Sequence, residues 1–294
     1  MLELEPTGSQ IVSGRWQFNA ARVGALVIAA AAYAAAFGEG ISTAIDRYGQ
    51  GASTQPFSWS GEVLVWLRLV VASGALVGLS WLILRELTTR PWWWSWPQWT
   101  RRPPLSRSTY VACVSVYVLS VYATLGLRWL VDLALPALAV DDTSTTAQRP
   151  LAAAVIAGLR AGFGEEVFVV AVPIAALAMW LPSTRVGLIA ALCVLVPMRL
   201  AYHVYYGAGL WVSMGLWAVV SAYMVWRWRD YRLVIGFALA HAAYNICEGY
   251  ALAFWGLVSV AAAGVVALAL THRVRTGRWI TMAPPLRAPA PVRV

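Results

Sequence analysis

The sequence predicts an all-α fold, a polytopic bundle of about eight transmembrane helices, and three observations predict it. Of 294 residues, 60% are hydrophobic and only 12% charged, where soluble domains carry a charged share near a quarter. Mean hydropathy is +0.66. The apolar residues gather into runs of the length a bilayer requires, about 20 residues each, and backbone in hydrocarbon must pair within its own segment, which selects helices. A sizeable extramembrane domain has no room.

Residues 1–22 read as a cytoplasmic N-terminal segment. The first span is Val23–Phe37, extending toward Ile41. Arg15 and Arg22 ahead of an apolar run ending in Ala34-Ala35-Ala36 also fit a cleavable signal peptide, against which stand the long leader and its Glu3 and Glu5. Residues 23–150 continue with spans Val63–Leu84 and Tyr110–Leu127, separated by a Trp- and Arg-rich loop, 85–109. Within it, Pro91–Trp99 holds five Trp in nine residues, the composition of an anchor at the headgroup layer, where an indole keeps one edge wet. Residues 151–270 carry five further spans: Leu151–Leu181, Val186–Leu200 running on to His203, Gly209–Trp226, Leu233–Ile246 and Tyr250–Leu270. Residues 271–294 form a Pro/Arg tail whose last part, 283–294, lacks periodicity and reads as disordered.

The net charge is +9, and all 22 basic residues are Arg. They lie at the edges of the spans and build no single basic face, so the composition argues against nucleic-acid binding. Their distribution sets topology instead, because short Arg-rich connections stay cytoplasmic. Arg85 to Arg107, the Arg227–Arg232 link and the C-terminal tail form one set; segments 38–62 and 131–149, rich in Asp and Glu, form the other. An even number of spans with both termini in the cytoplasm satisfies this alternation. Cys113, Cys193 and Cys247 lie far apart in apolar stretches and read as packing residues.

Ionisable groups inside spans are costly and mark functional candidates. They are Arg68, Arg160, Glu165 with Glu166, Arg199, His203, His241 and Glu248. Adjacent helical residues point about 100 degrees apart, so Glu165 and Glu166 are expected to face different partners, one at a site and one held elsewhere. Held together in low dielectric, such a pair suits general acid or base work; a purely structural pairing with Arg160 and Arg199 is the competing expectation. Arg199 precedes His203 by four residues, on the same helical face. Counted from the turn at 182–185, Glu165 and His203 stand at similar depth. His241, Asn245 and Glu248 share one stripe of the seventh span, as a site or as an interhelical hydrogen-bond ladder.

In order, Glu165-Glu166, His203 at a helix end, and His241-x-x-x-Asn245 resemble the CAAX-protease and bacteriocin-processing (CPBP, or Abi) family of intramembrane proteases. The resemblance covers roughly residues 155–255. It implies an intramembrane endopeptidase in which residues 151–270 form the catalytic bundle of a multi-pass cell-membrane protein. Its substrate would be a membrane-associated peptide or protein, lipidated in some members. By position, Glu165 corresponds to the family's catalytic glutamate, with Glu166 beside it and His203 holding the attacking water. His241 and Asn245 correspond to oxyanion stabilisers; Arg199 and Glu248, read from their place beside these residues and not from the family pattern, are expected to be supporting groups. Glu165, His203 and His241 are also three ligands of the kind catalytic zinc uses, so a Zn or other divalent-metal mechanism and a metal-free one both remain open. Two positions depart from the family pattern: Val170 replaces an expected Arg and Arg199 an expected Phe. A guanidinium relocated from the fourth span to the fifth, still reaching Glu166, accounts for both. Two other classes compete: a non-catalytic peptide-binding or self-immunity protein, and a proton- or ion-coupled transporter, which lacks the expected half-repeats. On these boundaries His241 lies about eight residues nearer the cytoplasm than Glu165, roughly 12 Å.

Overall fold

A computed structural model describes residues 8–49, 58–87, 105–136, 150–178, 180–181, 184–228, 230–247 and 251–277. Among these residues the chain is 91% helical, with no strand, and runs as eight helical rods. Three stretches are long and apolar enough to cross a membrane: Arg22–Asp46, Arg107–Ala134 and Trp255–Thr276. Glu248, the Trp-rich segment 91–99 and the tail 283–294 lie outside the described residues.

The first rod, α1 (Gly8–Asp46), begins well before the first span expected from the sequence. The stretch 8–22 continues as helix into the Ala-rich run, whose residues have the highest helix propensity. Next come α2 (Trp59–Leu87) and α3 (Arg107–Ala134), the latter capped by Ser106, whose hydroxyl accepts from the Thr109 N–H at 3.2 Å.

The fourth rod is not uniform. It starts as α4 (Leu151–Glu165), widens into a π-helical stretch over Glu166–Ala171, and ends as α5 (Val172–Leu177). Pro173 supplies the reason: it lacks an N–H, and its ring clashes with the carbonyl four residues earlier in a regular α-helix. Widening to i→i+5 pairing, visible in the Val172 N–H to Val167 carbonyl bond, relieves that clash.

The remaining rods are α6 (Arg185–Ala201), α7 (Leu210–Trp228), α8 (Tyr231–Cys247) and α9 (Ala251–Thr276). A short 3-10 segment, Val204–Gly209, joins α6 to α7 and turns at Gly207, φ +59°. A side chain there would press on Gly49, since an added Cβ would lie 3.1 Å from the Gly49 Cα.

α4 and α8 form the most intimate pair of the bundle, and α3 packs on both α7 and α8. α1 lies against α2 and the π stretch, while α9 rests on α3. The α4–α8 contact depends on small residues. A Cβ added at Gly158 would meet the Ala242 carbonyl at 2.9 Å, and one at Gly162 would collide with the Ala238 carbonyl. Gly158 and Gly162 on one helix thus face Ala238 and Ala242 on the other, the spacing that brings membrane helices to backbone contact.

The outward faces are apolar. Val63, Leu64, Leu67, Val70 and Val71 of α2, and Trp255, Val260, Val266 and Leu270 of α9, are more than half exposed. Contiguous apolar surface on this scale suits lipid and not water. The interior holds the opposite inversion: Arg199 and Glu166 are among the most deeply buried side chains, packed with Tyr117, Phe237, Val169 and Ile174.

Candidate active site

The rods converge on two adjacent carboxylates at the junction of α4 and the π stretch. Glu166 is fully buried, and its Oε1 collects three contacts. The Arg199 guanidinium, delivered by α6, hydrogen-bonds to it. The Tyr117 hydroxyl of α3 donates at 2.7 Å, and His241 Nδ1 of α8 lies 3.5 Å away. Glu165 is held differently. Its Oε2 accepts from the Tyr202 hydroxyl at 2.8 Å, with His203 Nε2 at 3.9 Å and Arg199 Nη2 at 3.8 Å.

Arg199 therefore approaches both carboxylates, contrary to the expectation that neighbours 100 degrees apart must face different partners. Three rotatable bonds in each Glu side chain close that angle. Arg160, the other expected partner, instead binds Glu62 of α2, its Nε donating at 2.6 Å. Val170, in the π stretch, is packed in the core at 2% exposure, so α6 and not the fourth rod supplies the cation at Glu166.

Arg199 is itself fixed. Its Nη1 donates to Ser221 Oγ at 2.8 Å, and the guanidinium lies 4.1 Å over the Trp217 ring, a cation–π contact. Trp217 in turn meets the His241 ring edge-on at 4.8 Å, and Tyr117 stacks on Phe237 at 4.3 Å. On the Glu165 side, Phe37 of α1 stacks on Tyr202 at 4.5 Å, and the Tyr33 hydroxyl donates to the Met198 carbonyl at 2.6 Å. His203 lies just past the end of α6, its Nδ1 bonded to the Tyr205 hydroxyl at 2.8 Å.

His241 does not stand eight residues nearer the cytoplasm than Glu165. Gly162 touches Ala238 and Ala242, so His241 lies abreast of Gly162, one helical turn from Glu166. The helices run antiparallel and side chains lean toward their own N-termini, so Glu166 and His241 lean toward each other and close the remaining distance. Connections between spans were a poor ruler; the small-residue seam sets the register.

Asn245, expected beside His241 at the site, is half-buried one turn further along α8. Among the described residues it makes none of the hydrogen bonds of the cluster. The groups that do, and that the sequence did not single out, are Tyr117, Tyr202 and Ser221, with Trp217 joining them through ring contacts alone. A weak signal existed: each puts a polar atom within an apolar run, where it requires a partner.

With neutral histidines the cluster carries one net negative charge, from two carboxylates and one guanidinium. Five of its buried atoms have no hydrogen-bond partner in the protein: Glu166 Oε2, Arg199 Nε, His203 Nε2, Trp217 Nε1 and His241 Nδ1. Buried polar atoms are normally satisfied, and this concentration sets the cluster apart from the apolar interior around it. As placed, Glu165, His203 and His241 do not gather round one point, and no group of three His, Cys, Asp or Glu side chains does so among the described residues. The Arg199 charge stands beside both carboxylates, where a divalent cation would be repelled. The donors as arranged therefore do not fit the three-ligand zinc site that the sequence left open. Comparison with protein families, curated proteins and solved structures finds no match for this chain.

Proposed function

We propose that the chain is an intramembrane endopeptidase of the CPBP type, an eight-span bundle with both termini cytoplasmic, in which Glu165 is the general base. The observation that carries this reading is the unequal treatment of two adjacent carboxylates. Glu166 is wholly buried and neutralised by Arg199; Glu165 keeps 11% of its side chain exposed and faces His203.

The 3.9 Å between Glu165 Oε2 and His203 Nε2 is too long for a direct bond. A water beside them reaches both. A Tyr205 hydroxyl that donates to His203 Nδ1 leaves Nε2 carrying the proton, able to orient that water or donate to an oxyanion. Glu165 then takes the water's proton as its oxygen attacks the scissile carbonyl carbon. The C–N bond breaks as the tetrahedral intermediate collapses, and Glu165 returns the proton to the leaving amine. With the Tyr202 hydroxyl committed to Glu165, His203 Nε2–H is the donor left for the developing oxyanion, in a site that excludes bulk water. The substrate class is a membrane-associated peptide, lipidated or not.

The 3.8 Å approach of Arg199 to Glu165 favours a second reading, a non-catalytic peptide binder whose base is neutralised. Purified full-length protein in detergent, offered quenched prenyl-peptide and unmodified peptide libraries beside Glu165→Gln, separates the two. Cleavage lost in the variant supports the enzyme; peptide binding with cleavage in neither supports the binder. Cleavage that survives chelation supports the metal-free base, whereas loss on chelation with recovery on added zinc moves the water onto a metal.

A further inference from the structure

A second feature lies away from the carboxylates, where the N-terminal ends of α3 and α8 meet. Leu105 N–H donates to Asp230 Oδ2 at 3.2 Å and the Arg232 guanidinium to the Leu105 carbonyl at 3.1 Å, so the two helices start level and parallel. Between them is a groove of about 360 Å³ lined by Leu105, Arg107, Tyr110, Val111, Arg232 and Ile235. Its walls are apolar. Val111 and Ile235 are 44% and 51% exposed, so the groove opens on the flank of the bundle, toward the surface that the apolar outer faces assign to lipid.

The charges at its mouth are unequal. Arg232 is bound by Asp230, Nη2 to Oδ2 at 2.5 Å, so that pair sums to zero. Arg107 is exposed and has no ion-pair partner among the described residues. An apolar slot of ligand-pocket size whose rim carries one guanidinium that no carboxylate among the described residues compensates matches a molecule with an anionic head and an apolar tail.

We propose that this groove binds an anionic phospholipid, its phosphate against Arg107 and one acyl chain between Val111 and Ile235. A free phosphate leaves the walls unused, and a zwitterionic lipid brings its own cation beside the phosphate, so the site keeps its net positive charge. The proposal rests on the membrane reading and is independent of any protease activity.

The test is native mass spectrometry of the delipidated full chain in detergent, titrated with phosphatidylglycerol or phosphatidylcholine. Phosphatidylglycerol adducts should exceed phosphatidylcholine adducts about fivefold, and Arg107→Ala should remove that excess. Ile235→Trp and Val111→Trp, which fill the slot from either wall, should reduce adducts of both lipids, while Arg275→Ala on α9 leaves them unchanged. Glycerol phosphate should not displace the lipid. Equal retention of the two lipids, or wild-type retention in both Trp variants with unchanged thermal unfolding, overturns the proposal.

Discussion

Arg199 of α6 lies against Glu166 of the π stretch, and both are almost wholly removed from the surface. A buried ion pair is weak evidence of stability, but breaking one leaves an uncompensated charge.

Arg199→Ala should therefore destabilise the bundle by about 3–5 kcal/mol, read as a large fall in thermal unfolding temperature in detergent. Arg199→Phe with Val170→Arg, which returns the cation to the fourth rod, should recover most of that loss. A double variant no more stable than Arg199→Phe alone would argue that α6 is the only route to Glu166.

The two tyrosines should separate structure from chemistry. Tyr117→Phe removes one hydrogen bond to a charged group while keeping the stack on Phe237, and should cost about 1.5–3 kcal/mol of stability. Tyr202→Phe frees the Glu165 oxygen that faces His203, and should lower kcat more than it raises KM in the peptide assay. Equal effects of the two on kcat would contradict this division.

Gly162→Val should push α4 away from α8, because a side chain there meets the Ala238 carbonyl; overpacking of this kind costs about 1–3 kcal/mol. Gly126→Ala, where nothing stands within 4 Å of the added carbon, is the control. Unfolding temperatures of the two variants decide the matter.

Asp230 gives a pH dependence. Burial pushes its carboxyl up, but the Arg232 guanidinium and the backbone N–H groups of Leu105 and Arg232 outweigh that and hold it below the usual aspartate value. A group lowered on folding contributes stability above its unfolded value and loses it as pH falls through the folded one. Asp230→Asn keeps the acceptor for the Arg232 N–H and removes the charge. Wild type should be the more stable at neutral pH, and the gap should close only below about pH 4. A gap independent of pH would place the effect in packing.

The eight rods were legible because hydropathy marks them directly, and the Arg199–Glu166 meeting was legible as a missing cation in one span and a surplus in another. The level of His241 was not. It follows from Gly158 and Gly162 seated on Ala238 and Ala242, a seam whose residues are unremarkable amid so much alanine and glycine. Tyr117, Ser221 and Trp217 were hidden for another reason: they arrive from helices whose only signal is apolarity, and their partners lie far off in the chain. Asn245 illustrates the converse, since a shared helical stripe with His241 put it on the right face one turn too far from the carboxylates.

Tyr33 reaches Met198 across 165 residues of chain, and Gly49 sits under the turn that follows His203. α1, made well before α6, must therefore wait for it before its inner wall has this partner. Until then the fourth rod holds Glu165 and Glu166 without the Arg199 charge or the Tyr202 hydrogen bond to compensate them, and closing so long a loop is entropically slow. Assembly of this protein thus has an interval, set by the order of the chain, in which the acidic pair is made but not yet compensated.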